Sequence, residues 1–197
     1  MSPTTPPSPE PRGFVIEHGA ETLPLPGSLH INRRISQWLD FSTPGKVKVM
    51  TGKVELGQGV LTALAVIAAD ELGLELSQIE MVSASTAHGP DEGMTSGSLS
   101  IQDSGAAIRQ ACAEVRRITG LKGGDYWSAL SGVSLDFEPT DLAPTMPANE
   151  RSLSGKAKVK RLDLPAKILG QARFIQDWRP AGTIHGRVLR LRFETAL

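Results

Sequence analysis

The chain has 197 residues, 40% of them hydrophobic, with 21 Lys and Arg against 21 Asp and Glu and a formal net charge of zero. That is enough apolar material for a globular core in one or two modest domains, and the charge balance gives no support for a nucleic-acid or membrane-surface role. A single cysteine, Cys112, excludes an internal disulfide and cannot by itself hold a zinc or iron–sulfur site.

The first dozen residues are rich in Pro, Ser and Thr, and residues 1–23 read as a disordered arm. They have neither the basic start nor the apolar run of a signal peptide, and no stretch approaches the ~20 apolar residues of a bilayer span. A cytoplasmic location is the default expectation. Pro44-Gly45 then supplies a turn, and the alternation over residues 46–51 predicts a strand. Gly57 and Gly59 interrupt the chain. Val60 to Leu72 follows as a helix, with Val60, Leu64, Ile67 and Ala68 along one face and Gly73 as its stop. Ile79 to Ser83 reads as a second short strand.

Residues 84–97 show no periodicity and have the composition of a long functional loop. A helix is expected from Leu99 or Ser100 to Arg117, capped by Ser98 or Ser100. Its buried stripe is Ile101, Gly105, Ile108, Cys112 and Val115, while Arg109, Glu114 and Arg116 face elsewhere. The helical spacing makes Cys112 a small core residue. This order of elements predicts an α+β fold, a mixed sheet with packed helices. Residues 24–118 form its main domain. Residues 119–150 read as an irregular connector anchored by Tyr126-Trp127. Residues 151–197, with strands expected at 157–160 and 183–192, read as the incomplete start of a second α/β domain.

Two loops carry the candidate chemistry. Gly57-Gln58-Gly59 precedes a helix whose first turn offers free N–H groups and a partial positive charge to an anion, and glycine permits close backbone approach. Gln58 adds an uncharged amide suited to the polar edge of a pterin. In the second loop, Thr95, Ser98 and Ser100 offer hydroxyls beside Gly97. The same residue types also serve ordinary strand-to-helix turns. No Walker lysine and no G-x-G-x-x-G accompanies either loop, so a standard nucleotide site is not indicated. His18, His30, His88 and His185 lack metal-ligand spacing. Asp91-Glu92 reads as an acid–base pair or a solvated loop tip, and Asp70-Glu71 as a solvated or partner-facing helix edge.

Residues 52–74, GKVELGQGVLTALAVIAADELGL, resemble the first cofactor segment of the xanthine dehydrogenase and aldehyde oxidase family. Residues 85–116, STAHGPDEGMTSGSLSIQDSGAAIRQACAEVR, resemble its second cofactor loop and helix. Residues 24–41 and 161–190 are similar to the branch typified by the isoquinoline 1-oxidoreductase beta subunit. The resemblance implies a molybdenum-bearing molybdopterin, in that branch often the cytosine dinucleotide form, and hydroxylation of N-heterocycles or aldehydes with oxygen from water. It implies that Gln58, with Gly57 and Gly59, lies near the metal end of the cofactor. Thr95, Ser98 and Ser100 would bind its pterin or phosphate portion, and Ser96 and Gly97 would border the substrate space. The hammerhead-like domain of the family would begin after residue 151. Electrons would leave through [2Fe–2S] centres on a partner subunit.

The family's general base, a glutamate in a Gly-x-Gly-Glu segment, has no counterpart here, and Glu55 belongs to the first loop instead. The expectation is an N-terminal fragment, inactive alone, needing an iron–sulfur subunit and a chain that supplies the C-terminal catalytic part. The alternative is a non-catalytic interaction or assembly module, or a degenerate fragment.

Overall fold

A computed structural model describes residues 23–155, 159–171, 174 and 177–190. It separates into two compact units, one ending at Val159 and the other starting at Lys160. The expected arm over 1–23 lies outside the described residues except at Leu23, as do His18 and residues 157–158 of the strand expected at 157–160.

The first unit is α+β. Its sheet runs in the order β1 (Leu39–Asp40), β2 (Val47–Thr51), β3 (Ile79–Ser83). β1 pairs antiparallel to β2, with Leu39 opposite Val49. β2 pairs parallel to β3, in register from Val47–Ile79 to Thr51–Ser83. A parallel pair needs a long crossover, which α1 (Val60–Leu72) supplies. Gly59 (φ +80°) and Gly73 (φ +64°) bound α1, and the Gly73 N–H closes its last turn on the carbonyls of Ala69 and Asp70.

α2 (Ala106–Thr119) packs beside α1, preceded by one π-helical turn at Ile101–Gly105. Val47 and Val49 of β2 join Leu64, Ala68, Ile108, Cys112 and Val115 in one core cluster, all fully buried. Gly105 lets the helices approach: a Cβ there would stand 3.0 Å from Ile67 Cδ1. Ile101, expected in the buried stripe, is 47% exposed. The wider π turn shifts it out of the α-helical register that keeps Ile108, Cys112 and Val115 inward. No side chain caps this helix start, and Ser98 sits at φ +58°.

The two acidic positions near the end of α1 are buried, not solvated. Asp70 is 1% exposed and Glu71 0%. Both, with Glu114 of α2, accept hydrogen bonds from the chain returning over the helices. Ala143 N donates to Glu114 (2.8 Å), Met146 N to Glu71 (2.8 Å), and the N–H groups of Leu153 and Ser154 to Asp70 (both 2.7 Å). Arg116 (2.5 Å) and Arg109 (3.4 Å) add charge to Glu71, and Arg117 (2.8 Å) to Glu114. Glu114 and Arg116 thus face this strap rather than open solvent. The carboxylates stay buried because each has several donors.

Tyr126 and Trp127 open the short helix α3 (Tyr126–Ala129) and do anchor it: Tyr126 Oη donates to the Leu72 carbonyl (2.9 Å) and Trp127 Nε1 to that of Lys46 (2.9 Å). In the second unit the described residues contain one short helix, α4 (Leu164–Ile168), held by Asp163 bonds to Arg161 and Lys167. Residues 183–190 form no strand, against expectation; no partner strand is present for them among the described residues.

Candidate functional site

Parallel pairing of β2 and β3 brings Thr51 and Ser83 side by side, so the loops that follow them leave the same end of the sheet. This is where open α/β sheets bind ligands. The first loop covers residues 52–59, the second 84–100. Gly52 is obligatory at their crossing, since a Cβ would lie 2.7 Å from the Pro90 carbonyl oxygen. Val54 N donates to Thr95 Oγ1 (2.9 Å), Ser83 Oγ to the Lys53 carbonyl (2.6 Å), and Lys53 Nζ to the carbonyls of Glu92 (2.9 Å) and Met94 (3.4 Å).

Within the first loop, Gly57 (φ +102°) has open space where a Cβ would stand. Its conformation, not crowding, demands glycine, and the backbone there is approachable. The expectation of free N–H groups at the start of α1 is not met. Glu55 Oε1 accepts from Gly57 N (2.9 Å) and Gly59 N (2.8 Å), and its Oε2 from Leu61 N (3.4 Å). The chain's own carboxylate therefore occupies the anion position at this helix end, where the helix dipole favours it. Gln58 is exposed but folds onto its own loop: Oε1 accepts from Leu56 N (2.5 Å) and Nε2 donates to the Val54 carbonyl (3.1 Å).

In the second loop, Thr95 faces the first loop, whereas Ser96, Gly97 (φ +69°) and Ser98 are exposed and Ser100 is half-buried. The hydroxyls of Ser96, Ser98 and Ser100 have no partner among the described residues. Large apolar side chains flank both loops in the open: Leu56, Met94, Leu99 and Ile101 are 71%, 83%, 42% and 47% exposed.

Asp91 and Glu92 do not form an acid–base pair. Glu92 turns inward, and its Oε2 accepts from Thr51 Oγ1 (2.8 Å), Gly52 N (2.8 Å) and Ser104 Oγ (3.0 Å). Its Oε1 is buried without a partner among the described residues. His30 binds the Gly27 carbonyl and His88 the Ser85 hydroxyl. Among the described residues no three His, Cys, Asp or Glu side chains gather as metal ligands. Burial, then the charge of Glu71, pushes the Cys112 thiol well up, as befits a core residue. A cavity of about 990 Å³ is lined by Phe41, Met50, Val82 and Trp127 together with His88 from the start of the second loop. Lys53, Glu55 and Glu92 shape the loops; sequence reasoning passed over Lys53 and named Glu55 and Glu92 without these roles. The signal that could have found them is three charged side chains close to loop glycines.

The molybdopterin cofactor-binding domain model matches residues 13–127, more than half of the chain and including both loops. This chain belongs to the molybdopterin cofactor-binding domain family. It is similar to a nicotinate dehydrogenase subunit of Pseudomonas putida, 28% identical over 183 residues, covering 80% of this chain and 15% of that protein. It is also similar to a membrane-bound aldehyde dehydrogenase of Gluconacetobacter polyoxogenes whose name specifies pyrroloquinoline quinone, 32% identical over 180 residues, 76% of this chain and 23% of that protein. A shorter stretch of 73 residues is 37% identical to xanthine dehydrogenase 1 of Arabidopsis thaliana, 37% of this chain and 5% of that protein. The chain thus spans less than a quarter of these relatives, which support the expected xanthine dehydrogenase kinship.

For a molybdopterin domain the donor set fits a polar heterocycle in part. Three uncommitted hydroxyls suit hydrogen-bonding edges, and the exposed apolar side chains suit ring faces. The start of α1, filled by Glu55, does not suit a phosphate. No described helix is long and apolar enough to cross a membrane.

Proposed function

We propose that this molybdopterin domain supplies the two gripping loops of a cytoplasmic molybdenum hydroxylase large subunit, in the branch typified by the isoquinoline 1-oxidoreductase beta subunit. The reading is carried by the second loop, whose free Ser96, Ser98 and Ser100 hydroxyls stand beside a backbone tied to the first loop at Val54–Thr95. When bound, the molybdenum centre supplies the oxygen-transfer and electron-accepting chemistry that hydroxylates an N-heterocycle or an aldehyde with water as oxygen source. This chain's residues bind and orient. Ser98 and Ser100 hydrogen-bond the pterin or its phosphate, preferably as the cytosine dinucleotide. Thr95 keeps its acceptor role toward Val54. Gly57 and Gly59 leave steric room for the ligand beside the first loop while Glu55 keeps their N–H groups, and Ser96 and Gly97 border the substrate. Gln58 reaches the ligand by releasing Leu56 N and the Val54 carbonyl, two single hydrogen bonds at an exposed site. A [2Fe–2S] subunit and the segment that bears the family's catalytic glutamate complete the enzyme.

The test is molybdenum and pterin content after co-expression with the neighbouring genes in a molybdenum-replete host. Stoichiometric metal and pterin, lost in a Ser98→Ala/Ser100→Ala variant of unchanged thermal stability, supports the reading. A folded complex without either refutes it.

A further inference from the structure

We propose that Lys53 is the positioning residue that sets the second loop against the first, a role resting on the proposed cofactor-gripping function of both. Lys53 follows the end of β2 by two residues, and only 4% of it is exposed. Its Nζ meets no carboxylate among the described residues. It donates instead to two backbone carbonyls of the second loop, Glu92 O at 2.9 Å and Met94 O at 3.4 Å. Burying an ammonium without a counter-charge is unfavourable, and the usual outcome for a lysine is a solvated tip. Here two carbonyl groups flanking Gly93, whose φ of +61° makes the turn, receive the Nζ donors. One buried donor group thereby ties the carbonyls of residues 92 and 94 together.

The rest of the tie is built around the same point. The Lys53 carbonyl accepts from Ser83 Oγ, and the Lys53 N–H donates to Thr51 Oγ1 (3.0 Å). Thr51 and Ser104, both fully buried, hold the Glu92 carboxylate from below. The next residue, Val54, donates to Thr95 Oγ1, the first residue of the Thr95-to-Ser100 run. Lys53 thus acts on the loop backbone from beneath, and Ser96, Ser98 and Ser100 remain free toward solvent. It touches the ligand only through the loop that it holds.

The experiment uses the full chain co-expressed with its partner subunits. Two properties are read: amide hydrogen exchange of residues 92–99 and of α1, and bound pterin. Lys53→Met keeps the length and removes the donors. It is expected to raise exchange over 92–99 at least tenfold, leave α1 unchanged, and lower pterin content at least fivefold. Lys53→Arg, which restores donors and charge, is expected to recover most of both. Unchanged exchange over 92–99 in Lys53→Met overturns the proposal, and so does an equal rise in α1, which marks general destabilisation. If Lys53→Met does not fold, Thr95→Val supplies the decision: local loss of protection at 92–99 supports the tie, and none overturns it. Wild-type protein lacking pterin but showing the loop effect in Lys53→Met refutes the cofactor reading while supporting the loop geometry.

Discussion

Replacing Glu71 by alanine is expected to destabilise the chain severely, and the structure sets the size. The Glu71 carboxylate is fully buried and accepts from Arg116 Nη1, Arg109 Nη1 and Met146 N. Removal strands a guanidinium whose Nε already lacks a partner among the described residues, and a backbone N–H besides. Breaking one side of a buried ion pair costs about 3–5 kcal/mol. The orphaned Met146 N–H falls within that figure rather than on top of it, at about 1–3 kcal/mol if counted alone. For a chain of this size each kcal/mol lowers the melting temperature by about 2–4 °C, so the expected drop is roughly 6–20 °C. Urea unfolding followed by fluorescence of the buried Trp38 measures it. The exposed Glu80→Ala serves as control, within about 0.5 kcal/mol of wild type. In a double-mutant cycle, Glu71→Ala with Arg116→Met should cost less than the two singles summed, because no unpaired charge remains at Arg116. A loss under about 1 kcal/mol for Glu71→Ala, or strict additivity in the cycle, refutes the account of the strap.

Three further outcomes are expected. Cys112, buried and with its thiol pushed up, should resist a disulfide-exchange reagent in the native chain and react fully in denaturant; rapid native labelling would contradict its core placement. Gly27→Ala places a Cβ 2.1 Å from the Asp103 carbonyl oxygen at φ +53°, so it should lower stability by about 2–4 kcal/mol in chemical unfolding, whereas Gly45→Ala, with open space, should cost only the φ penalty of about 1 kcal/mol. At Asp70, burial pushes the carboxyl up but is outweighed by the donors from Ser154, Leu153 and Ser152, leaving it below its usual range. Its contribution is therefore present above about pH 4 and lost as pH falls through the lowered value. Urea midpoints against pH should show a shallower acid loss in Asp70→Asn, and parallel curves would refute the linkage.

The local elements were legible because periodicity and punctuation agreed. Val60 to Leu72 lies between two left-handed glycines, and Ile79 to Ser83 follows a short turn. The buried acids were not, because Asp70-Glu71 beside the stop glycine has the pattern of a solvated helix end. The donors that make burial tolerable come from far along the chain: Arg109 and Arg116 of α2, and the strap, 75 to 84 residues on. The π turn was hidden too, since Ile101 fits an α-helical stripe as well as Ile108 does until the wider turn shifts it. At the loops, the glycines and hydroxyls were visible, but which of them are committed was not. Glu55 takes the N–H groups that a bare glycine loop would offer, and Gln58 is folded on itself.

The strap also has a kinetic consequence. Its contacts with Asp70 and Glu71 close chain segments of 75 and more residues, and such closures follow the local ones because their entropy is lost before they are rewarded. The β2–α1–β3 unit and the α1–α2 pair can form while Asp70, Glu71 and Glu114 are still hydrated. Mutations in the strap would then act mainly on how fast the native state opens, leaving the rate at which it forms nearly untouched.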